Sequence, residues 1–122
     1  MAPHAHKVNP KTGKPVILEA DVKAALRDYL HKKGWLTIAN VQAGFGVVNG
    51  RPDLEAVKRG TVLFLEVKRP GGQLTQAQVN YINRLKSFGA ICLVISSGEE
   101  IIREVDRIEE MLWPDQNSLR LL

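Results

Sequence analysis

Asp53, Glu66 and Lys68 are the residues of this chain best placed to do chemistry. Glu66-Val67-Lys68 closes the apolar run Thr61-Val62-Leu63-Phe64-Leu65, and Asp53 lies one short strand and a turn earlier. An extended segment sends alternate side chains to the same face, so Glu66 and Lys68 leave one side of a strand and Val67 the other. An aspartate on the neighbouring strand puts a second carboxylate beside Glu66. Two converging carboxylates repel unless a cation sits between them, and hard oxygen donors suit Mg²⁺ or Mn²⁺. A lysine two residues along adds a positive donor at the rim. Such a set can hydrolyse a phosphodiester with a metal-activated water, and the residues point to a metal-dependent nuclease.

Taken singly, each residue has a plainer reading. A charged pair at a strand end is usually a solvated edge, and Asp53 after Pro52 can simply open a turn. Here Val62–Leu65 reads as buried on both faces, which brings Glu66 out at the mouth of a core strand. Glu19 opens a helix, where a carboxylate already complements the helix dipole. Gln78 and its rival Gln76 stand in the first turn of another helix, where glutamine is most often just solvated. Glu55 shares the strand face of Asp53, with an ion pair to a nearby lysine as its simpler role. His4, His6 and His31 have no metal-ligand spacing. The glycine-rich Gly44–Gly50 segment lacks the Gly-Lys-Ser/Thr of a phosphate-binding loop.

The elements that would position these groups follow from periodicity and breakers. Val22, Ala25, Leu26, Tyr29 and Leu30 recur at helical spacing from Glu19, and Gly34 ends that helix. Trp35–Val41 reads as a strand. Asp53 to about Lys58 reads as another, joined by a tight Arg59-Gly60 turn to the Thr61–Lys68 strand. Thr75 is an N-cap for a second helix carrying Val79, Ile82, Leu85 and Phe88, closed by Gly89. Ala90–Ser96 reads as a buried strand, and Ser97-Gly98 starts a third helix that Pro114 stops. The expected fold is α/β: a mixed four-stranded sheet, three strands in an antiparallel meander and the fourth added parallel through a right-handed crossover, with helices on both faces. Residues 1–17 read as a loose arm, 18–113 as the domain and 114–122 as a tail.

Composition narrows the class. The 122 residues make one domain with 44% hydrophobic and 25% charged residues, ordinary for a globular protein. No apolar stretch is long enough for a bilayer, and the N-terminus lacks the apolar segment of a signal peptide. The lone Cys92 sits in an apolar run and reads as a buried, inert thiol, so a reducing, cytoplasmic setting is expected. A net charge of +4 mildly favours a polyanionic partner.

Glu19, Gly50-Arg51-Pro52-Asp53, Glu66-Val67-Lys68 and Leu74-Thr75-Gln76-Ala77-Gln78, in this order, resemble the PD-(D/E)xK nuclease superfamily and within it the small VRR-Nuc (virus-type replication-repair nuclease) domain. The resemblance covers about residues 18 to 97 and implies an αβββαβ core. It implies Asp53, Glu66 and the Val67 carbonyl as ligands of Mg²⁺ or Mn²⁺, with Glu19 at the edge of that site. Lys68 would orient the attacking water, and Gln78, which aligns better than Gln76, would position the lysine or a phosphate oxygen. Arg51, Arg69 and Lys58 are the expected DNA contacts. The stand-alone members, of phages and bacteria, look like Holliday-junction resolvases, so the expectation is a structure-selective endodeoxyribonuclease acting on branched DNA in the cytoplasm of a bacterial or phage-infected cell. A nick- or flap-type repair nuclease, a restriction-like nuclease, and a non-catalytic DNA-binding module are the alternatives. Two cuts per junction call for a homodimer, with the apolar third helix (Ile101, Ile102, Val105, Ile108, Met111, Leu112, Trp113) or the Trp35 strand as the contact.

Overall fold

The computed structural model describes residues 17–40 and 49–115. Its elements, in chain order, are α1 (Glu19–Lys32), β1 (Leu36–Ala39), β2 (Leu54–Lys58), β3 (Thr61–Val67), α2 (Gln76–Ser87), β4 (Ile91–Ile95) and α3 (Gly98–Leu112). The sheet order is β1-β2-β3-β4. The first three strands are antiparallel, and β4 joins β3 in parallel after the α2 crossover. The αβββαβ order and the mixed sheet are those expected.

The β2–β3 hairpin turns on two residues. Lys58 pairs with Thr61, and Arg59 and Gly60 between them both have positive φ, 50° and 78°. Two left-handed residues give the turn whose twist matches the flanking strands. That turn fixes the register, which sets Leu54 opposite Leu65 and leaves Asp53, just before β2, beside Glu66 and Val67 at the end of β3.

The two sheet faces are covered unequally. Leu54, Ala56, Leu63, Leu65, Val67, Leu93 and Ile95 join Val22, Leu26 and Leu30 of α1 and Ile101, Val105 and Ile108 of α3 in one core. Each of these side chains but Ala56 contributes roughly 1.5–3 kcal/mol by leaving water. Glu66 alternates with Leu65 and Val67 and so emerges on the other face, where its side chain meets α2. Helices therefore stand on both faces, but on the second α2 packs on β4, and Leu36, Ile38, Val62 and Val94 remain exposed.

Three expectations change here. α2 buries Ile82 alone, Val79 and Leu85 are half-buried, and Phe88 is 82% exposed, because no further element covers that helix's outer side among the described residues. Cys92 faces the thinly covered side and is half-buried, although that burial, opposed by Lys86, still pushes its thiol up. On α3, Ile101, Val105 and Ile108 are absorbed by the core and Leu112 and Trp113 pack against it, which leaves Ile102 and Met111 exposed. The helix is thus mostly satisfied within its own chain. Of the segments read from the sequence, residues 1–16, the Val41 end of the first strand, Gly44–Val48 and the tail from 116 onward lie outside the described residues.

Candidate active site

Asp53 and Glu66 are 7% and 2% exposed, in a molecule whose only other buried carboxylate among the described residues is Glu109. They are tied reciprocally. The Asp53 N–H donates to Glu66 Oε2 at 3.3 Å, and the Val67 N–H donates to Asp53 Oδ2 at 2.8 Å. Burial first, then the hydrogen bond and charge of Asp53, push the Glu66 carboxyl up to about 8, against the pull of Lys68. Two carboxylates forced together out of water favour a shared proton or a bound cation.

Lys68 leaves β3 on the same side as Glu66, as alternation requires, and its ammonium lies 3.8 Å from Glu66 Oε1. Its own N–H donates to the Ile95 carbonyl at 2.9 Å, which prolongs the β3–β4 pairing. The lysine backbone is therefore fixed while its side chain projects toward the carboxylates.

Gln78 completes the cluster, and the start of α2 explains how. Thr75 is the N-cap: its Oγ1 accepts from the Gln78 N–H at 3.2 Å, and Gln78 Oε1 accepts from the Thr75 N–H at 2.8 Å. This reciprocal cap occupies the amide oxygen and turns the amide nitrogen outward, where it donates to Glu66 Oε1 at 2.5 Å. Gln76 instead pairs with Asn80 on the exposed side of the helix. The geometry thus distinguishes two glutamines that sequence alone left as rivals.

Two positioning contacts carried no clear sequence signal. Asn40, past the end of β1, donates from its backbone to the Asp53 carbonyl and from Nδ2 to the Pro52 carbonyl, both at 2.8 Å. Gly50 has φ +85°, and a Cβ there would lie 2.2 Å from the Ala77 carbonyl oxygen. The Gly50–Asp53 segment therefore rests backbone-on-backbone against the first turn of α2, which carries Gln78. A glycine ahead of Arg-Pro-Asp was visible in the sequence, but its contact was not.

The remaining expected site residues are distributed differently. Glu19 is exposed at the first turn of α1, and no three His, Cys, Asp or Glu residues gather as a metal group among the described residues; it is not brought to Asp53 and Glu66. Arg51 pairs with Glu55 at 3.2 Å, so the partner of Glu55 is an arginine rather than a lysine. Arg69 is exposed beside Lys68. Lys58 must be corrected. It stands at the far end of β2, roughly 17 Å from Asp53 by strand rise. There its ammonium donates to the Lys33 carbonyl at 2.7 Å and to both oxygens of Glu109, at 3.1 and 3.2 Å, between the rings of Trp35 and Trp113. Its charge is spent inside the protein.

No family model and no curated protein matches the chain. A solved structure described as a VRR_NUC domain superposes with a TM-score of 0.61, covering 72% of this chain and 94% of its own, at 22% identity. This chain has the fold of a VRR-Nuc domain. Within that fold the donor set fits a hard divalent cation: two buried carboxylates, Asp53 and Glu66, with no sulfur or imidazole among the residues hydrogen-bonded or ion-paired to them. Among the described residues, no helix is long and apolar enough to cross a membrane.

Proposed function

We propose that the protein is a metal-dependent nuclease that hydrolyses phosphodiester bonds of DNA and selects its substrate by structure. The observation that carries this reading is the convergence of Asp53, Glu66, Lys68 and Gln78 at the end of β3 in a VRR-Nuc fold. Asp53, Glu66 and the Val67 carbonyl would hold Mg²⁺ or Mn²⁺. A cation bound there supplies Lewis acidity toward a phosphate oxygen and toward water. Lys68 orients the attacking water and offsets negative charge in the transition state. Gln78 keeps the Glu66 carboxylate turned toward Asp53. Glu19, which the resemblance places at the rim, stands outside the cluster of Asp53 and Glu66 and is given no ligand role here.

Charge distribution supports a polyanionic substrate. Residues 67–98 contain no aspartate or glutamate but do contain Lys68, Arg69, Arg84 and Lys86, whereas α3 alone carries Glu99, Glu100, Glu104, Asp106, Glu109 and Glu110. The site thus opens beside a cationic surface and away from the acidic helix, and Arg51 and Arg69 are the cations nearest it in sequence. The reading takes recognition to be of DNA shape, with a four-way junction served by a homodimer.

The test is cleavage of labelled branched, nicked, flapped and linear DNAs with Mn²⁺ and with EDTA. Cleavage that needs the metal, and falls about a hundredfold or more in Lys68→Ala with much less effect on DNA binding, is the expected outcome. Cleavage unchanged in EDTA ends the two-carboxylate mechanism. A monomer mass by light scattering, unchanged on adding junction DNA, ends the dimeric junction-resolving form.

A further inference from the structure

Beyond the carboxylate cluster, the outer side of α2 bounds an open groove of about 640 Å³ lined by Asn49, Asn80, Tyr81, Arg84, Leu85 and Phe88. Ala77, the sequence neighbour of Gln78, also lines it, so the groove and the site share the first turn of α2. Its chemistry is unusual for a free surface. Phe88 is 82% exposed, a large aromatic ring that no described residue covers. Arg84 has no carboxylate partner among the described residues, and the whole segment around it is free of acids. Asn49, Asn80 and Tyr81 supply hydrogen-bonding groups without charge. An aromatic platform, an unpaired guanidinium and uncharged polar edges are the components that hold single-stranded nucleic acid.

A continuous duplex offers a protein its phosphates and the edges of its bases, while base faces are hidden in the stack. Only an unpaired or terminal base can lie on a ring such as Phe88. Helical rise puts Phe88 about 15 Å along α2 from Gln78, a span of about four nucleotides at the stacked spacing of a strand. Building on the nuclease reading above, we infer that this groove binds the unpaired part of the DNA strand that enters the Asp53–Glu66 site, Phe88 stacking on a base and Arg84 pairing with a phosphate. The preferred substrate then carries single-stranded character within a few nucleotides of the cut, as at a flap, a gap or an opened branch.

The test is fluorescence anisotropy with full-length protein in EDTA at low salt, using fluorescein-labelled oligothymidylate and a blunt duplex of equal length. Loss of one stacked base predicts that Phe88→Ala weakens oligothymidylate binding about tenfold and duplex binding much less. Phe88→Trp restores the affinity and Phe88→Leu does not. Arg84→Gln weakens oligothymidylate binding and lowers its salt dependence by about one phosphate contact. Wild-type affinity in Phe88→Ala, or equal losses for the two DNAs, overturns the inference, as does a halved mass of Phe88→Ala in light scattering, which assigns the ring to a contact between copies. Because no metal is present, this result is independent of cleavage. Phe88-dependent strand binding in a protein that cuts nothing keeps the groove and removes the nuclease; cleavage without it does the reverse.

Discussion

Glu66→Gln separates the ionic state of the site from its packing. With its carboxyl pushed up to about 8, against 4.5 for an unfolded glutamate, Glu66 keeps its proton in the folded metal-free protein where the unfolded chain has lost it. The folded state then binds more protons, so the stabilising contribution is complete below pH 4.5 and is lost as pH rises through about 8. The slope is about 1.4 kcal/mol per pH unit, and between about pH 5.5 and pH 8 it accumulates to about 3 kcal/mol. For a chain of 122 residues that corresponds to roughly 10 °C in Tm. Glutamine imitates the protonated acid and removes the slope. In EDTA, wild type and variant should melt together near the acid end and diverge toward pH 8, with the variant higher. Adding Mn²⁺ should raise the wild-type Tm more at pH 8 than at pH 5.5, since the cation displaces the proton, and should leave the variant unmoved. Parallel melting curves for both proteins across this range would refute the coupled-carboxylate account.

Gln78→Ala removes the side-chain half of the reciprocal cap of α2, leaving the Thr75 hydroxyl on the backbone N–H of position 78, and also the donor to Glu66, so denaturant unfolding should show a loss of about 1–3 kcal/mol; Gln76→Ala, which loses one exposed pair, should stay within about 0.5 kcal/mol. Gly50→Ala combines an unfavourable left-handed backbone with a clash against the Ala77 carbonyl, so circular dichroism should show a loss of roughly 3 kcal/mol or more, or no fold. Lys58→Met leaves Glu109 buried beside the more distant Lys33, and should cost about 2–4 kcal/mol in urea while leaving DNA affinity within about twofold. A DNA-binding defect without destabilisation would return Lys58 to the substrate surface.

What local chemistry dictates was legible in the chain. Helical spacing with Thr75 and Gly34 at its ends, the Arg59-Gly60 turn and the apolar run before Glu66 are rules of a few residues' range, and α1, α2 and the β2–β3 hairpin formed where they indicate. The same-side placement of Glu66 and Lys68 followed from strand alternation alone, and the pairing of Asp53 with Glu66 followed once the hairpin register was set.

The tertiary structure decided what depends on the distance between segments far apart in the chain. Gln78 and Gln76 are the same residue type, and it is the Thr75 cap together with the packing of α2 on the sheet that turns Gln78 to Glu66, while Gln76 pairs along the helix with Asn80. Lys58 read as a surface cation because Glu109, which neutralises it, lies 51 residues away on α3. Asn40 and Gly50 became positioning residues only when β1 and the first turn of α2 closed on the Asp53 segment. Phe88 is periodic with Val79, Ile82 and Leu85 and so reads as core, but no described residue is placed over it. A sequence specifies each element's apolar face by its period, but which faces find partners is settled by how many layers the fold supplies, and among the described residues the second face of the sheet has one helix where the first has two.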